Sequence, residues 1–104
     1  MSDEPKGYEI HLVFLWLDSP DLAIKRVAQR VKQGGHKIPK ETIKSRYFAG
    51  LKNLFVHYLK LSDTILIIDS SFDTQRIIAR SNIKDELQIK DKRAWSKMQE
   101  LANG

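Results

Sequence analysis

Residues 9–17, EIHLVFLWL, are almost continuously apolar and rich in strand-forming side chains, the pattern of a strand buried on both faces in a parallel sheet. A second run of this kind, TILIID at residues 64–69, ends in the carboxylate of Asp69. The 46 residues between the runs are far too long for a hairpin, so the two strands are expected to lie parallel with a right-handed crossover. His11 reads as the strand's entrance rather than as a ligand.

The crossover carries two helical patterns. Asp18-Ser19-Pro20-Asp21 supplies a cap and a first-turn proline, which predicts a helix from about Pro20 to Gln33, ended by Gly34-Gly35. Its apolar stripe is Ala23, Val27 and Val31. Lys25, Arg26, Gln29, Arg30 and Lys32 take the other faces. Arg26 and Arg30 stand one turn apart, a like-charge spacing that costs a few tenths of a kcal/mol unless an anion lies nearby.

Pro39 opens a second helix reaching about Leu59, with Ile43, Tyr47, Leu51, Leu54 and Tyr58 as its apolar face, flanked by Phe48 and Phe55. A separate stripe holds Arg46, Gly50, Asn53 and His57. It joins side chains able to bind an anion to a glycine that permits close approach or serves helix packing. After the second strand, Ser70-Ser71-Phe72-Asp73 forms the loop at the strand's carboxyl end, where open α/β sheets place ligands. Gln75 to Arg80 reads as a third strand paired with Leu87 to Ile89. Asp91 then caps a closing helix to Ala102, packed through Trp95, Met98 and Leu101. The fold class is therefore α/β.

At 104 residues the chain is expected to be a single domain, with the polar residues 1–8 flexible. Its apolar runs fall well short of a membrane span, and an acidic flank before Ile10 does not resemble a secretory signal, so no membrane partner and a cytoplasmic location are expected. There is no cysteine, and His11, His36 and His57 lie too far apart for a compact metal motif, so no metal site is expected. The net charge of +5 is concentrated: Lys25 to Lys60 holds ten bases and one acid, Glu41. Such a segment calls for an anionic partner, either small-molecule phosphates or a nucleic-acid backbone. The alternative is a solvated, lysine-rich helix surface.

The order RVAQRVKQGGHKIP (residues 26–39), IKSRYFAGLKNLF (43–55) and LIIDSS (66–71) resembles the C-terminal half of the zeta-toxin-like ATPases and kinases, over nearly the whole chain. That resemblance implies part of a P-loop-kinase-like three-layer domain, with two parallel core strands, crossover helices and a C-terminal helix. It also implies phosphate-binding arginines at Arg26, Arg30 and Arg46, a lid turn at Gly34, Gly35 and His36, and a site rim at Asn53 and Asp69. The family pattern often has a second arginine where Ser45 stands and an asparagine where Ser70 stands.

No GxxxxGK followed by Ser or Thr occurs, so the chain has no loop of its own to cradle a nucleotide, and no catalytic residue is assigned. The resemblance therefore implies a truncated or complementing half, inactive alone. ATP and Mg²⁺ are expected only with the missing half present, and no cofactor is expected for the isolated chain. The partners implied are that N-terminal half, a second copy, or an antitoxin-type protein. A basic module that binds nucleic acid or regulates a partner is the competing expectation.

Overall fold

The computed structural model describes residues 9–83 and 85–103, so the expectation of a flexible segment at residues 1–8 lies outside the described residues. In chain order the elements are β1 (His11–Trp16), α1 (Pro20–Lys32), α2 (Lys40–Asn53), a π-helical turn (Leu54–Tyr58), α3 (Leu59–Leu61), β2 (Thr64–Asp69), β3 (Arg76–Ser81), β4 (Gln88–Ile89) and α4 (Lys92–Asn103). The chain is a mixed α/β unit, as the two apolar runs predict.

The sheet runs in the order β1-β2-β3-β4. β1 and β2 are parallel, in a register that sets His11 beside Thr64 and Trp16 beside Asp69. β3 returns antiparallel to β2, and β4 pairs with β3 through Ala79–Ile89 and Arg80–Gln88. Between Ile67 and Ile68 the β2–β3 register slips. Ala79 stays beside Ile67 and Ile77 beside Ile68, so Ile78 is an extra residue, and both it and Ala79 are buried.

Period-two alternation sorts the strand residues between two faces. One face carries Trp16, Ile65 and Ile67. It packs with Leu51 and Leu54 from the second helical segment and with Ala94 and Met98 from α4, while Phe55 meets Trp95 edge-on at 5.0 Å between ring centroids. The other face is bare. Val13 is 59% exposed and Leu15 57%, which corrects the expectation that β1 is buried on both sides. The reason is geometric: α2 and α4 lie together on one side of the sheet, and α1 packs mainly along α2. The described residues thus form a four-stranded sheet with helices on one side.

Local signals account for the helix ends. Ser19 Oγ accepts a hydrogen bond from Leu22 N at 3.1 Å, and Pro20 sits in the first turn, where a missing N–H costs nothing. At the far end Gly34 adopts φ 101°, so the Gly34 N–H reaches the Val31 carbonyl and the Gly35 N–H reaches that of Arg30 at 2.8 Å. This paired closure is a Schellman stop, and glycine supplies its left-handed residue without strain. Asp91 Oδ1 accepts from Ala94 N at 3.0 Å, capping α4 as the sequence predicts.

The expected single helix from Pro39 to Leu59 is interrupted. Leu59 N–H reaches back five residues to the Leu54 carbonyl, so Leu54–Tyr58 forms a wider turn. That step swings Tyr58 out to 44% exposure, while Phe55 and Leu59 turn toward the core. Tyr58 therefore does not belong to the apolar face, although Ile43, Leu51 and Leu54 are buried there as expected. No helix among the described residues is long and apolar enough to cross a membrane.

Candidate functional site

The carboxyl ends of β1 and β2 are tied together by backbone and serine contacts. Ser70 N donates to the Trp16 carbonyl at 2.8 Å, extending the parallel ladder, and Asp18 N donates to Ser71 Oγ at 2.9 Å. Ser71 N donates to Asp69 Oδ1 at 2.9 Å. Asp69 is buried on the helix-covered face, so its carboxylate acts as a turn cap.

Above this junction lies a cleft of about 480 Å³, lined by Leu15, Leu17, Arg26, Gln29, Arg30, Gln33, Ser70 and Gln75, a size suited to a small ligand. Residues 26, 29, 30 and 33 follow the i, i+3, i+4, i+7 spacing of one helix face. α1 thus turns a continuous strip of nitrogen donors into the cleft and its apolar stripe toward α2. The lining contains no carboxylate.

Two of these side chains already have partners. The Arg26 guanidinium donates to the Ser70 carbonyl at 2.9 Å and lies 3.5 Å from that of Ser71, so it holds the loop after β2 against α1. Gln75 Nε2 donates to Ser70 Oγ at 3.0 Å. Arg30 is exposed and has no side-chain hydrogen bond or carboxylate partner among the described residues. Its place in the last turn of α1 also complements the negative end of the helix dipole, an ordinary structural use for a cation there.

Tyr47 anchors Leu17, one of the residues lining the cleft. Its hydroxyl donates to the Leu17 carbonyl at 2.6 Å. Burial pushes the phenol up from 10.0 to about 12; the neighbouring Trp16 indole lowers it, and the Asp18 carboxylate raises it further. The Trp16 indole nitrogen is buried and lies near this hydroxyl without reaching hydrogen-bond geometry.

Of the expected phosphate, lid and rim residues the cleft gathers only Arg26 and Arg30, together with Ser70 from the loop where the sequence predicts ligands. Arg46 and Asn53 are exposed on α2 and lie outside the lining, as does Asp69. Gly34, Gly35 and His36 form the exposed turn beyond α1. Gly35 has a packing reason for its identity, since a Cβ there would stand 2.9 Å from the Arg30 carbonyl oxygen. A Cβ on Gly50 would meet nothing within 4 Å, so that glycine serves no close approach within the described residues. Gln29, Gln33 and, just before β3, Gln75 are site residues that the sequence reading did not assign; Gln75 carried no signal beyond its place after the Ser70 loop, unlike the two on α1. The signal for Gln29 and Gln33 was the helical spacing they share with the two arginines.

This donor set suits an oxyanion and lacks the carboxylates that a hard divalent cation favours. The described residues likewise include no group of three or more His, Asp or Glu placed to hold a metal. Comparison with family models, curated proteins and solved structures finds no match to the chain.

Proposed function

We propose that this chain is a cytoplasmic, complementing half of a zeta-toxin-like phosphotransferase, supplying the arginine side of a phosphate site and remaining inactive alone. The observation carrying this reading is the cleft at the carboxyl ends of two parallel strands, lined by one donor-bearing helix face and no carboxylate. Arg30 contacts the phosphate, offsetting charge that builds on a transferring group. Arg26 holds the wall through Ser70, and Gln29, Gln33 and Gln75 offer neutral N–H donors. ATP and Mg²⁺ would be held by an amide cradle and carboxylates on the partner half, where the metal would neutralise phosphate charge.

Calorimetric titration with tripolyphosphate tests the reading. Binding is expected to be weak, with a Kd on the order of 1 mM, and to weaken as salt rises. Arg30→Gln should reduce it about tenfold, the scale of one charge-assisted contact. Indifference to Arg30→Gln sinks the cleft assignment, and ATP turnover by the isolated chain sinks its role as an incomplete half.

A nucleic-acid surface is the second reading, and one observation favours it: Phe48 is exposed on α2, one turn from both Lys44 and Lys52. An exposed ring between cations is a base-stacking platform. Phe48→Ala would then weaken single-stranded RNA binding about tenfold while leaving tripolyphosphate unaffected. Equal RNA binding by both proteins rejects it.

A further inference from the structure

The bare side of the sheet is organised in rows. Reading across the strands, His11 stands beside Thr64; Val13 lines up with Leu66, Arg80 and Gln88; Leu15 lines up with Ile68 and Ile77. The result is an apolar strip of five side chains, with Val13, Leu15 and Ile77 each more than two-fifths exposed. It is bordered by His11 and Arg80 at one end and by Arg26 and Arg30 of α1 at the other. Along β1 lies an outer edge with no strand paired to it among the described residues.

All-parallel sheets are almost always covered on both faces, usually by helices, whereas antiparallel sheets commonly face water with polar side chains; here the bare face of the parallel β1–β2 pair is apolar, as on the covered kind. The strip fits a helix. It spans three strands, about 10 Å at the usual strand spacing, which is the width of an α-helix with its side chains. From His11 to Leu17 it runs about 20 Å, or three to four helical turns.

The charges indicate what kind of helix. The groove beneath Val13 and the cleft beside Leu15 contain no carboxylate in their linings; a smaller groove on the far side of Arg80 does hold Asp85 and Glu86, so the uncompensated positive charge is greatest at the α1 end of the strip. The nearby acid Glu9 already lies 3.3 Å from His11. A second copy would bring the same cations to the contact. This chain's own helices are no better suited, since the outer side of α4 carries Lys92, Arg93 and Lys97 against the single acid Glu100, and the free sides of α1 and α2 are mainly basic.

We infer that the bare sheet face is the docking surface for an amphipathic helix of another protein, its apolar stripe flanked by carboxylates that meet Arg80 and the α1 arginines. The surface shares Leu15 and the α1 arginines with the cleft, but it does not require the cleft to bind phosphate. Desolvation of Val13, Leu15, Leu66, Ile68 and Ile77 supplies the attraction, and the cationic border selects against basic or neutral helices.

The test uses a synthetic peptide of about 18 residues with a leucine stripe flanked by glutamates, enough for five turns, and a twin with lysines in place of the glutamates. Fluorescence anisotropy against the full chain should show saturable binding of the acidic peptide and at least about tenfold weaker binding of the basic twin. Val13→Asp should weaken the acidic peptide about tenfold or more. Arg80→Glu should weaken the acidic peptide and strengthen the basic one. Both positions are exposed and lie outside the phosphate cleft, so circular dichroism and tripolyphosphate binding should be unchanged. Equal binding of the two peptides, or no saturable binding of the acidic one, overturns the inference. So does a dimer of the wild-type chain in sedimentation that Val13→Asp dissociates, since the occupant would then be a second copy.

Discussion

Replacing Tyr47 with phenylalanine removes a single oxygen, and the structure predicts an effect that depends on pH. Near neutrality the loss is the hydrogen bond to the Leu17 carbonyl, a net contribution of about 1 kcal/mol. At high pH a second effect enters with the opposite sign. The Tyr47 phenol ionises at about 12 in the folded chain and at 10.0 when exposed. Between those values the unfolded chain holds fewer protons than the folded one, so stability is complete below the lower value and drains away as pH climbs toward the upper. Discounted for the solvent that still reaches the half-buried ring, the drain amounts to about 1 kcal/mol. Tyr47→Phe lacks it. Urea titrations followed by tryptophan fluorescence should therefore find wild type about 1 kcal/mol more stable at about pH 8, with the gap closing by about pH 12. Other ionising groups shift both proteins alike and cancel in the difference. A gap that stays constant or widens refutes the placement of this hydroxyl.

Met98→Ala deletes a fully buried side chain between α4 and the sheet; a loss of about 2–5 kcal/mol, a large share of the stability of a small domain, should appear as a collapsed urea midpoint. Arg26→Gln removes the clasp on the Ser70 and Ser71 carbonyls, and should cost about 1 kcal/mol with faster amide exchange at those two serines and little change elsewhere. Gly35→Ala drives a Cβ against the Arg30 carbonyl and should lower the thermal midpoint by the equivalent of about 1 kcal/mol or more; an unchanged midpoint would show that the turn yields easily.

The parallel β1–β2 pair, the third strand with its short partner and the Asp91 cap were legible because each rests on local chemistry or on the length of the crossover. The burial of β1 was not. Its unbroken apolar run records what the strand is suited to, while the exposure of Val13 and Leu15 depends on which helices this chain brings, a property no window of sequence contains. Tyr58 was misplaced for another reason: constant helical spacing hides one extra residue in a turn, and only the backbone bond from Leu59 to Leu54 reveals it. In the cleft the arginines stood out by charge, whereas Gln29 and Gln33 read as ordinary surface until α1 was positioned over Ser70 and Gln75.

The wide turn at Leu54–Tyr58 has a consequence for chain length. In an ordinary helix, deleting a residue rotates everything downstream by about 100° and carries the apolar side away from its partners. Here the surplus residue is already accommodated as slack, and Val56 lies on the solvent side of it. A chain lacking Val56 should close into regular helix with Leu54 and Leu59 both still facing the sheet, whereas removing one residue a turn or two earlier, at Lys52, would twist Leu54 out of the core.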